Sequence, residues 1–174
     1  DVDTLPYTKN FLNYQTTQGT IKHFYGYTFT LGGIVSITAV DFEKINGFPN
    51  FWAWGYEDNM LQNRANNAGL TIDRTQFYKI MDANILHFPE GLHRNVNRTE
   101  FDQYISNTTE GINTVLKLQT TYDELTGFVH VTQFDTTREE DKSKTILYDL
   151  RKGSSPFNNL PQRNRRSGSM RMHF

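Results

Sequence analysis

Two carboxylates near the start of the chain are spaced so that they could bind one divalent cation. Asp1 and Asp3 are two residues apart, and side chains at i and i+2 of a strand point to the same face. Carboxylate oxygens are hard ligands that suit Mg²⁺ and Mn²⁺. The alternative interpretation is an acidic turn ahead of Pro6, in which neither side chain binds a metal.

A further carboxylate, Asp58, lies where an aromatic segment gives way to helical spacing. The residues after it recur at helical intervals until Gly69 ends the pattern. A carboxylate at a helix N-terminus is favoured in its ionised form, which is the form that can accept a proton. An Asp that only caps the helix would produce the same pattern.

The aromatic segment itself could contact a ligand or fill the core. Its rings are Phe51, Trp52, Trp54 and Tyr56. Aromatic faces offer apolar, polarisable surface to sugar rings, but large aromatic side chains are also common core residues. Core packing is favoured for Phe51 and Trp52.

The elements that must position these residues alternate as in an α/β domain. Residues 34–38 are β-branched and predict a strand, and residues 41–45 predict a short helix capped by Asp41. Residues 70–72 predict a return to strand. The pair Gly32-Gly33 implies a close backbone approach, to another strand or to a ligand.

Length and composition bound the organisation of the chain. A chain of 174 residues predicts one domain. Its Asp-Val-Asp opening is interpreted as the end of a buried strand, so the sequence predicts a fragment or processed form. It contains no cysteine and no apolar run of about 20 residues, so a membrane anchor is expected only if it is encoded upstream.

Charge is distributed unevenly and places the predicted domain boundary. Residues 151–174 contain six Lys and Arg and no acidic residue, whereas the preceding residues contain twelve basic and nineteen acidic side chains. We therefore predict a folded domain over residues 1–150 and a basic, disordered tail over residues 151–174. The acidic body lacks a basic aromatic face, so nucleic acid is not an expected partner.

The motifs together resemble the C-terminal catalytic region of the β-1,4-galactosyltransferase family. The resemblance extends over roughly residues 1–115 and fades beyond Leu116. It is carried by Asp1-Val2-Asp3, Gly32-Gly33, Phe42, Ile45-Asn46-Gly47-Phe48-Pro49-Asn50, Trp52-Ala53-Trp54-Gly55-Tyr56-Glu57-Asp58, Asn63-Arg64, Phe101-Asp102 and Glu110-Gly111-Ile112-Asn113.

This resemblance implies a fold and a reaction. The fold would be a GT-A-like nucleotide-sugar transferase domain of the α/β class, a mixed sheet flanked by helices, with its N-terminal nucleotide-binding half missing. The reaction would be an inverting, metal-dependent transfer of galactose or N-acetylgalactosamine from a uridine-diphosphate (UDP) sugar. The acceptor would be a glycan ending in N-acetylglucosamine or a similar sugar, and the cofactor Mn²⁺ or Mg²⁺.

The resemblance also assigns roles to residues. Asp58 would be the general base, and Glu57 would hydrogen-bond sugar hydroxyls. Asp3 and His87 would bind the metal, with Asn84 as a third ligand whose amide oxygen would bind more weakly than imidazole. Donor and acceptor contacts would come from Asp1, Gly32, Gly33, Trp54, Gly55, Phe101 and Tyr104.

The chain departs from the family pattern at several of these places. Asn59 and Met60 replace a further acidic position, and Glu100 replaces a basic residue. Thr30 stands where galactose-specific vertebrate members carry a tyrosine, and the smaller side chain could admit N-acetylgalactosamine. Residues 88–104 are polar, and we expect an irregular, lid-like segment there.

Two other functions stay open at this point. The first is a degenerate domain that binds glycans without turning them over. The second is a different GT-A transferase, such as a polysaccharide polymerase or a retaining N-acetylgalactosaminyl transferase. The compartment depends on the source: the Golgi lumen for an animal member, the cytoplasm for a viral or bacterial one.

Overall fold

The computed structural model describes residues 1, 3–88, 93–106, 109–149, 151 and 157. Within these residues the chain forms short strands and three helices, and two 3-10 turns lie at Ile112–Thr114 and Lys142–Lys144. In chain order the elements are β1 Thr4–Pro6, β2 Thr20–Gly26, β3 Ile34–Ser36, α1 Ala39–Lys44, α2 Glu57–Asn67, β4 Thr71–Asp73, β5 Tyr78–Lys79, β6 Ile85–His87, β7 His93–Asn97, α3 Arg98–Ser106, β8 Val115–Tyr122, β9 Val129–Thr136 and β10 Thr145–Asp149.

A mixed sheet built on β2 forms the centre of the fold. Strand β3 pairs with it antiparallel, whereas β4 and β5 pair with it parallel. Most residues of β2 are buried, including Ile21, Phe24 and Tyr25. A strand covered on both faces is typical of an α/β domain, so the predicted fold class is confirmed at the level of a mixed sheet with helices.

Helix α2 packs its apolar side against this sheet. Leu61 and Ala65 are four residues apart on one face, and both are almost fully buried in one cluster with Ile21 and Leu31. Burial of such apolar side chains is the main force that docks a helix on a sheet. It also fixes the position of Asp58, one turn before Leu61.

Arg64 ties α2 to the loop that follows α1. Its guanidinium is 7% exposed and donates to the carbonyls of Asn46, Gly47 and Glu110. A buried guanidinium is stable only when its N–H groups are paired. The three carbonyls pair Nη1 and Nη2, whereas the buried Nε has no hydrogen-bond partner. These bonds hold together two segments that are distant in sequence.

Two local predictions were wrong at their boundaries. Helix α1 begins at Ala39, and its N-cap is Thr38, whose hydroxyl accepts from the Asp41 N–H. Asp41 lies in the first turn instead, where its carboxylate accepts from the Gly19 N–H. Asp1 and Asp3 do not end a strand, because β1 begins at Thr4. Both errors shift an element by a few residues, the usual uncertainty of boundaries.

The expectation of an irregular segment over residues 88–104 was also wrong for the described residues 93–104. Strand β7 pairs over its full length with β10, which follows it by about fifty residues. Helix α3 begins directly after it, and the Asn97 side chain accepts from the Glu100 N–H in the manner of an N-cap. A polar sequence hid both elements because their stability depends on distant partners. Residues 89–92 lie outside the described part of the chain.

A two-stranded hairpin, β8 and β9, is exposed on both faces. Phe157 belongs to the segment predicted as a disordered tail, yet it is 6% exposed and stacks on Phe101 with ring centroids 3.8 Å apart. The rest of that tail, apart from Arg151, lies outside the described residues.

Among the residues that are described, no helix has the length and apolar character needed to cross a membrane.

Candidate active site

Asp58 is the second residue of α2 and does not cap it. The helix begins at Glu57, and the capping position is Tyr56, which has a left-handed conformation (φ 84°) and makes no side-chain cap hydrogen bond. The interpretation of Asp58 as an ordinary N-cap is therefore wrong. Its place in the first turn still favours the ionised form through the helix dipole.

The carboxylate of Asp58 lies directly against Gly32. A Cβ atom added to Gly32 would come within 2.1 Å of Asp58 Oδ2, so any side chain there would displace the Asp58 carboxylate. The backbones also meet, because the Leu31 N–H donates to the Asp58 carbonyl at 3.2 Å. The next residue, Gly33, lies against the backbone of β2, because a Cβ atom added to it would come within 2.2 Å of the Tyr25 carbonyl oxygen. The predicted close approach at the paired glycines is confirmed on both sides.

Burial changes the acid–base properties of this pair of carboxylates. Burial, reinforced by the neighbouring charge of Glu57, raises the pKa of Asp58 to about 6. Burial also raises the pKa of Glu57, whose Oε2 accepts from the Gly55 N–H at 3.1 Å. A carboxylate with a pKa near 6 is a stronger base than usual and is still mostly ionised at neutral pH.

For one ring of the aromatic segment before α2, the structure differs from the prediction. Trp52 is 46% exposed, and its indole N–H donates to the Arg138 carbonyl, so its assignment to the core was wrong. Trp54 packs instead beside Phe101 and Phe157, and its backbone N–H donates to the Asn95 carbonyl. A Trp indole N–H needs a hydrogen-bond acceptor. For Trp52 that acceptor is the exposed Arg138 carbonyl, so the ring lies at the surface.

The other predicted sugar-contacting residues surround this segment. Gly55 has φ 111°, which strains any other residue, and a Cβ atom added to it would lie 3.2 Å from the ring of Phe157. Phe101 is 7% exposed and packs edge to face against Tyr56. Tyr104 lies on α3, and its side chain is outside the described part of the structure. Glu100 accepts from the Ala53 N–H at 2.9 Å and so ties the segment to α3.

Strand pairing brings two of the predicted metal ligands together. Strands β1 and β6 pair with Thr4 opposite His87, and the Phe88 N–H donates to the Asp3 carbonyl at 2.8 Å. As a result, His87 Nε2 lies 3.8 Å from Asp3 Oδ2. Ligand distances to divalent cations in proteins are about 2.0–2.2 Å, so one cation could touch both atoms. These residues fit a metal.

The remaining metal candidates have other contacts. Asn84 is exposed and its side-chain amide donates to Asp82 Oδ1. Asp1 accepts from the Gly33 N–H at 2.9 Å, so the two early carboxylates contact different partners. Within the described ranges, no group of three or more His, Asp or Glu side chains is arranged to hold a metal.

Three functional neighbours were missed by sequence reasoning. The Tyr25 hydroxyl is 3.1 Å from His87 Nδ1 and orients that ring. Arg74 Nε donates to His23 Nδ1, and the other ring nitrogen of His23 lies 3.0 Å from the Gly32 carbonyl. A lone His or Tyr in an apolar strand carries no local sign of its partner, and only the apolar setting of a polar side chain could have marked these positions.

A polar cleft of about 420 Å³ lies between α3 and the segment before β10. It is lined by charged and amide side chains, among them Glu100, Gln103, Glu110, Arg138 and Lys144. Of these, Glu110 and Arg138 form an ion pair of 2.6 Å. The cleft adjoins Glu100 but includes none of the predicted site residues.

Comparison with known proteins finds similarity to galactosyltransferases over part of the chain. Residues 16–89 match a family model described as the N-terminal domain of galactosyltransferase. Human beta-1,4-galactosyltransferase 5 is 51% identical over 51 residues, which is 29% of this chain and 13% of that protein. Human beta-1,4-galactosyltransferase 6 is 40% identical over 87 residues, 44% of this chain and 22% of that protein. The chain thus spans about a fifth or less of these curated relatives.

The matched region contains β2, the paired glycines, α2 and His87. This part of the chain is therefore similar to a galactosyltransferase domain. The resemblance to the β-1,4-galactosyltransferases given by the sequence motifs is confirmed.

Proposed function

We propose that this chain takes part in an inverting, metal-dependent transfer of galactose or N-acetylgalactosamine from a UDP-sugar to a glycan ending in N-acetylglucosamine or a similar sugar. The observation that carries the proposal is the carboxylate of Asp58, which is partly buried, lies against Gly32 and has its pKa raised by burial to about 6. Asp58 would take the proton of the acceptor hydroxyl while that oxygen attacks the anomeric carbon. The relatives' printed names support galactose as the sugar.

Glu57 would assist without taking the proton. Its carboxylate is bound to the Gly55 N–H and lies next to Asp58 in sequence. In this place it would accept hydrogen bonds from sugar hydroxyls, and its charge strengthens Asp58 as a base. Trp54 would offer the edge of its ring to a sugar, since its other contacts are with the aromatic cluster.

The donor diphosphate would be held through a divalent cation bound by Asp3 and His87. When bound, Mn²⁺ or Mg²⁺ would neutralise the charge that develops on the leaving diphosphate. Tyr25 would keep the His87 ring oriented, and the β1–β6 pairing would hold Asp3 opposite it. Asn84 would become a ligand only if its amide turned away from Asp82.

We expect His87→Ala to weaken Mn²⁺ binding at least tenfold, because imidazole is the strongest ligand of the pair. Titration of the full chain with Mn²⁺, followed by electron paramagnetic resonance of the free ion, measures this directly. His130→Ala is the matched control, since His130 lies on the exposed hairpin. Equal Mn²⁺ affinity in wild type and His87→Ala would contradict the assignment.

Donor choice would depend on the region of Thr30. Thr30 is 8% exposed and lies beside the paired glycines, where its hydroxyl accepts weakly from the Gly32 N–H. A small side chain here leaves room for the N-acetyl group of N-acetylgalactosamine. Comparison of turnover with UDP-galactose and UDP-N-acetylgalactosamine tests the proposal, and a strong preference for galactose would exclude this role of Thr30.

The decisive experiment is release of UDP from each donor in the presence of Mn²⁺, with and without N-acetylglucosamine. Release that the acceptor stimulates would support transfer, and inversion at the anomeric carbon of the product would exclude a retaining transferase. Absence of metal-dependent release with either donor, together with retained glycan binding, would make the domain a degenerate glycan-binding one.

A further inference from the structure

We propose that His23 is a positioning residue of this site, whose neutral imidazole holds the backbone of Gly32 in place beside Asp58. The catalytic consequence of this inference rests on the proposed function. Its structural part is independent of that function, because it concerns contacts among β2, the glycine pair and α2.

The two ring nitrogens of His23 have different partners. Nδ1 lies 3.0 Å from Arg74 Nε, and a guanidinium can only donate. Nδ1 must therefore accept, and the proton of the neutral ring lies on Nε2. That N–H is shared between the carbonyls of Tyr25 and Gly32, both at 3.0 Å. The hydrogen-bond partners thus determine the tautomer.

The surroundings keep the ring neutral and fixed. His23 has no exposed surface, and Phe77 packs edge to face against it. Burial, together with the charge of Arg74, lowers the pKa of His23 to about 4. The ring therefore does not change charge near neutral pH, and its role is to hold other groups.

The carbonyl that His23 binds belongs to the residue that contacts Asp58. The Asp58 carboxylate occupies the space that a side chain at Gly32 would take. On the opposite side, a Cβ on Gly26 would lie 2.6 Å from the Gly32 oxygen and 3.1 Å from His23 Nε2. The Gly32 peptide is thus enclosed between β2 and α2, and His23 supplies its side-chain hydrogen bond from the β2 side.

Arg74 extends this contact to α2 itself. Its guanidinium donates to Gln62 Oε1 at 2.8 Å and more weakly to the Thr30 carbonyl. Gln62 is one helical turn after Asp58, on the same side of α2. His23 and Arg74 therefore link the strand, the loop before the glycines and the helix that carries Asp58.

A core histidine with only a stabilising role is the competing explanation, and three variants separate the two. In His23→Gln the side-chain amide nitrogen can reach the Gly32 carbonyl in place of Nε2. His23→Asn is shorter, so it can bind Arg74 but not Gly32. His23→Leu removes both contacts and keeps an apolar side chain of moderate size.

The test compares these variants in the full chain by two measurements. In the transfer assay we expect kcat of His23→Leu and His23→Asn to fall about 10- to 100-fold, the effect of a small misplacement of a catalytic group. KM for the donor should change less than about threefold. His23→Gln should keep kcat within about fivefold of wild type.

The second measurement is hydrogen exchange of the Leu31 amide, which donates to the Asp58 carbonyl and so reports the contact itself. We expect faster exchange in His23→Leu and His23→Asn and near wild-type exchange in His23→Gln. If wild type shows no transfer, the proposed function fails and the exchange data still decide the positioning role. Equal behaviour of His23→Gln and His23→Asn in exchange would overturn the inference, and so would wild-type exchange in His23→Leu. If His23→Leu does not fold, the Gln and Asn pair makes the same comparison.

Discussion

Asp58→Asn is expected to lower kcat for sugar transfer by about 10²- to 10⁴-fold, the usual contribution of a general base. The substitution keeps the shape of the side chain against Gly32 but removes the group that accepts the proton. The UDP-release assay with acceptor present measures the effect. Asp135→Asn is the control, because Asp135 is an exposed carboxylate on the hairpin, paired with Lys117, and such surface pairs contribute little.

The same substitution should stabilise the protein at neutral pH. The pKa of Asp58 is raised from 3.8 to about 6 in the folded state, so the folded protein binds this proton more tightly than the unfolded chain does. The stabilisation from that proton is complete below about pH 4 and is lost as the pH rises through about 6. Since Asn carries no charge, Asp58→Asn should be more stable than wild type by about 1–3 kcal/mol at pH 7.

Two measurements check this pair of effects. The difference in free energy of unfolding between Asp58→Asn and wild type should grow from pH 4 to pH 7. For wild type, kcat/KM should fall about tenfold per pH unit below about pH 6 and level off above it. A variant that is less stable at pH 7 or keeps wild-type kcat would contradict the role of Asp58.

Gly32→Ala is expected to lower kcat about 100-fold while changing stability little. The new methyl group would lie 2.1 Å from Asp58 Oδ2 and 2.8 Å from its Cγ, so the carboxylate must move. The end of a side chain can turn aside at small energetic expense, whereas a displacement of about 1 Å at a catalytic group can reduce the rate about 100-fold. Activity assays and thermal unfolding together measure the two effects.

Gly33→Ala provides the contrast. Its φ is 81°, and the added Cβ would lie 2.2 Å from the Tyr25 carbonyl oxygen. Both the backbone conformation and a main-chain atom oppose the change, so a large loss of stability is expected. Neighbouring glycines should thus have different phenotypes, one catalytic and one structural.

A double variant isolates the cause of the Gly32 effect. If Gly32→Ala acts by displacing Asp58, it should change the residual kcat of Asp58→Asn very little, because residues that act as a unit are not additive. An additive 100-fold loss in the double variant would show that Gly32 acts through another group.

Local sequence patterns predicted α2 and β4 well because each carries its own signal. Helical spacing and a closing Gly69 mark α2, and a β-branched segment marks β4. Strands β7 and β10 were not predicted, since their pairing joins polar residues about fifty positions apart. The predicted start of helix α1 was wrong because Thr38 and Asp41 are both acceptable N-caps, and only the fold selects Thr38.

The candidate site divides in the same way. The Gly32-Gly33 pair and the Glu57-Asp58 pair were identified from residue types and spacing, but their mutual contact was not. The surroundings of the two Trp residues depend on distant residues, because the Arg138 carbonyl accepts from the Trp52 indole and Phe157 stacks beside Trp54. The His23–Arg74 contact had no signal in either segment.

What the sequence by itself determined is a resemblance to the β-1,4-galactosyltransferases and the local elements that bear the candidate reactive groups, since motif spacing and helix signals are properties of short segments. Only the tertiary structure decided which groups meet: Asp58 with Gly32, Asp3 with His87, and His23 with Arg74. These contacts follow from strand register and from the docking of α2 on the sheet. Both are set by burial of apolar surface across the whole domain, a property that no short segment contains.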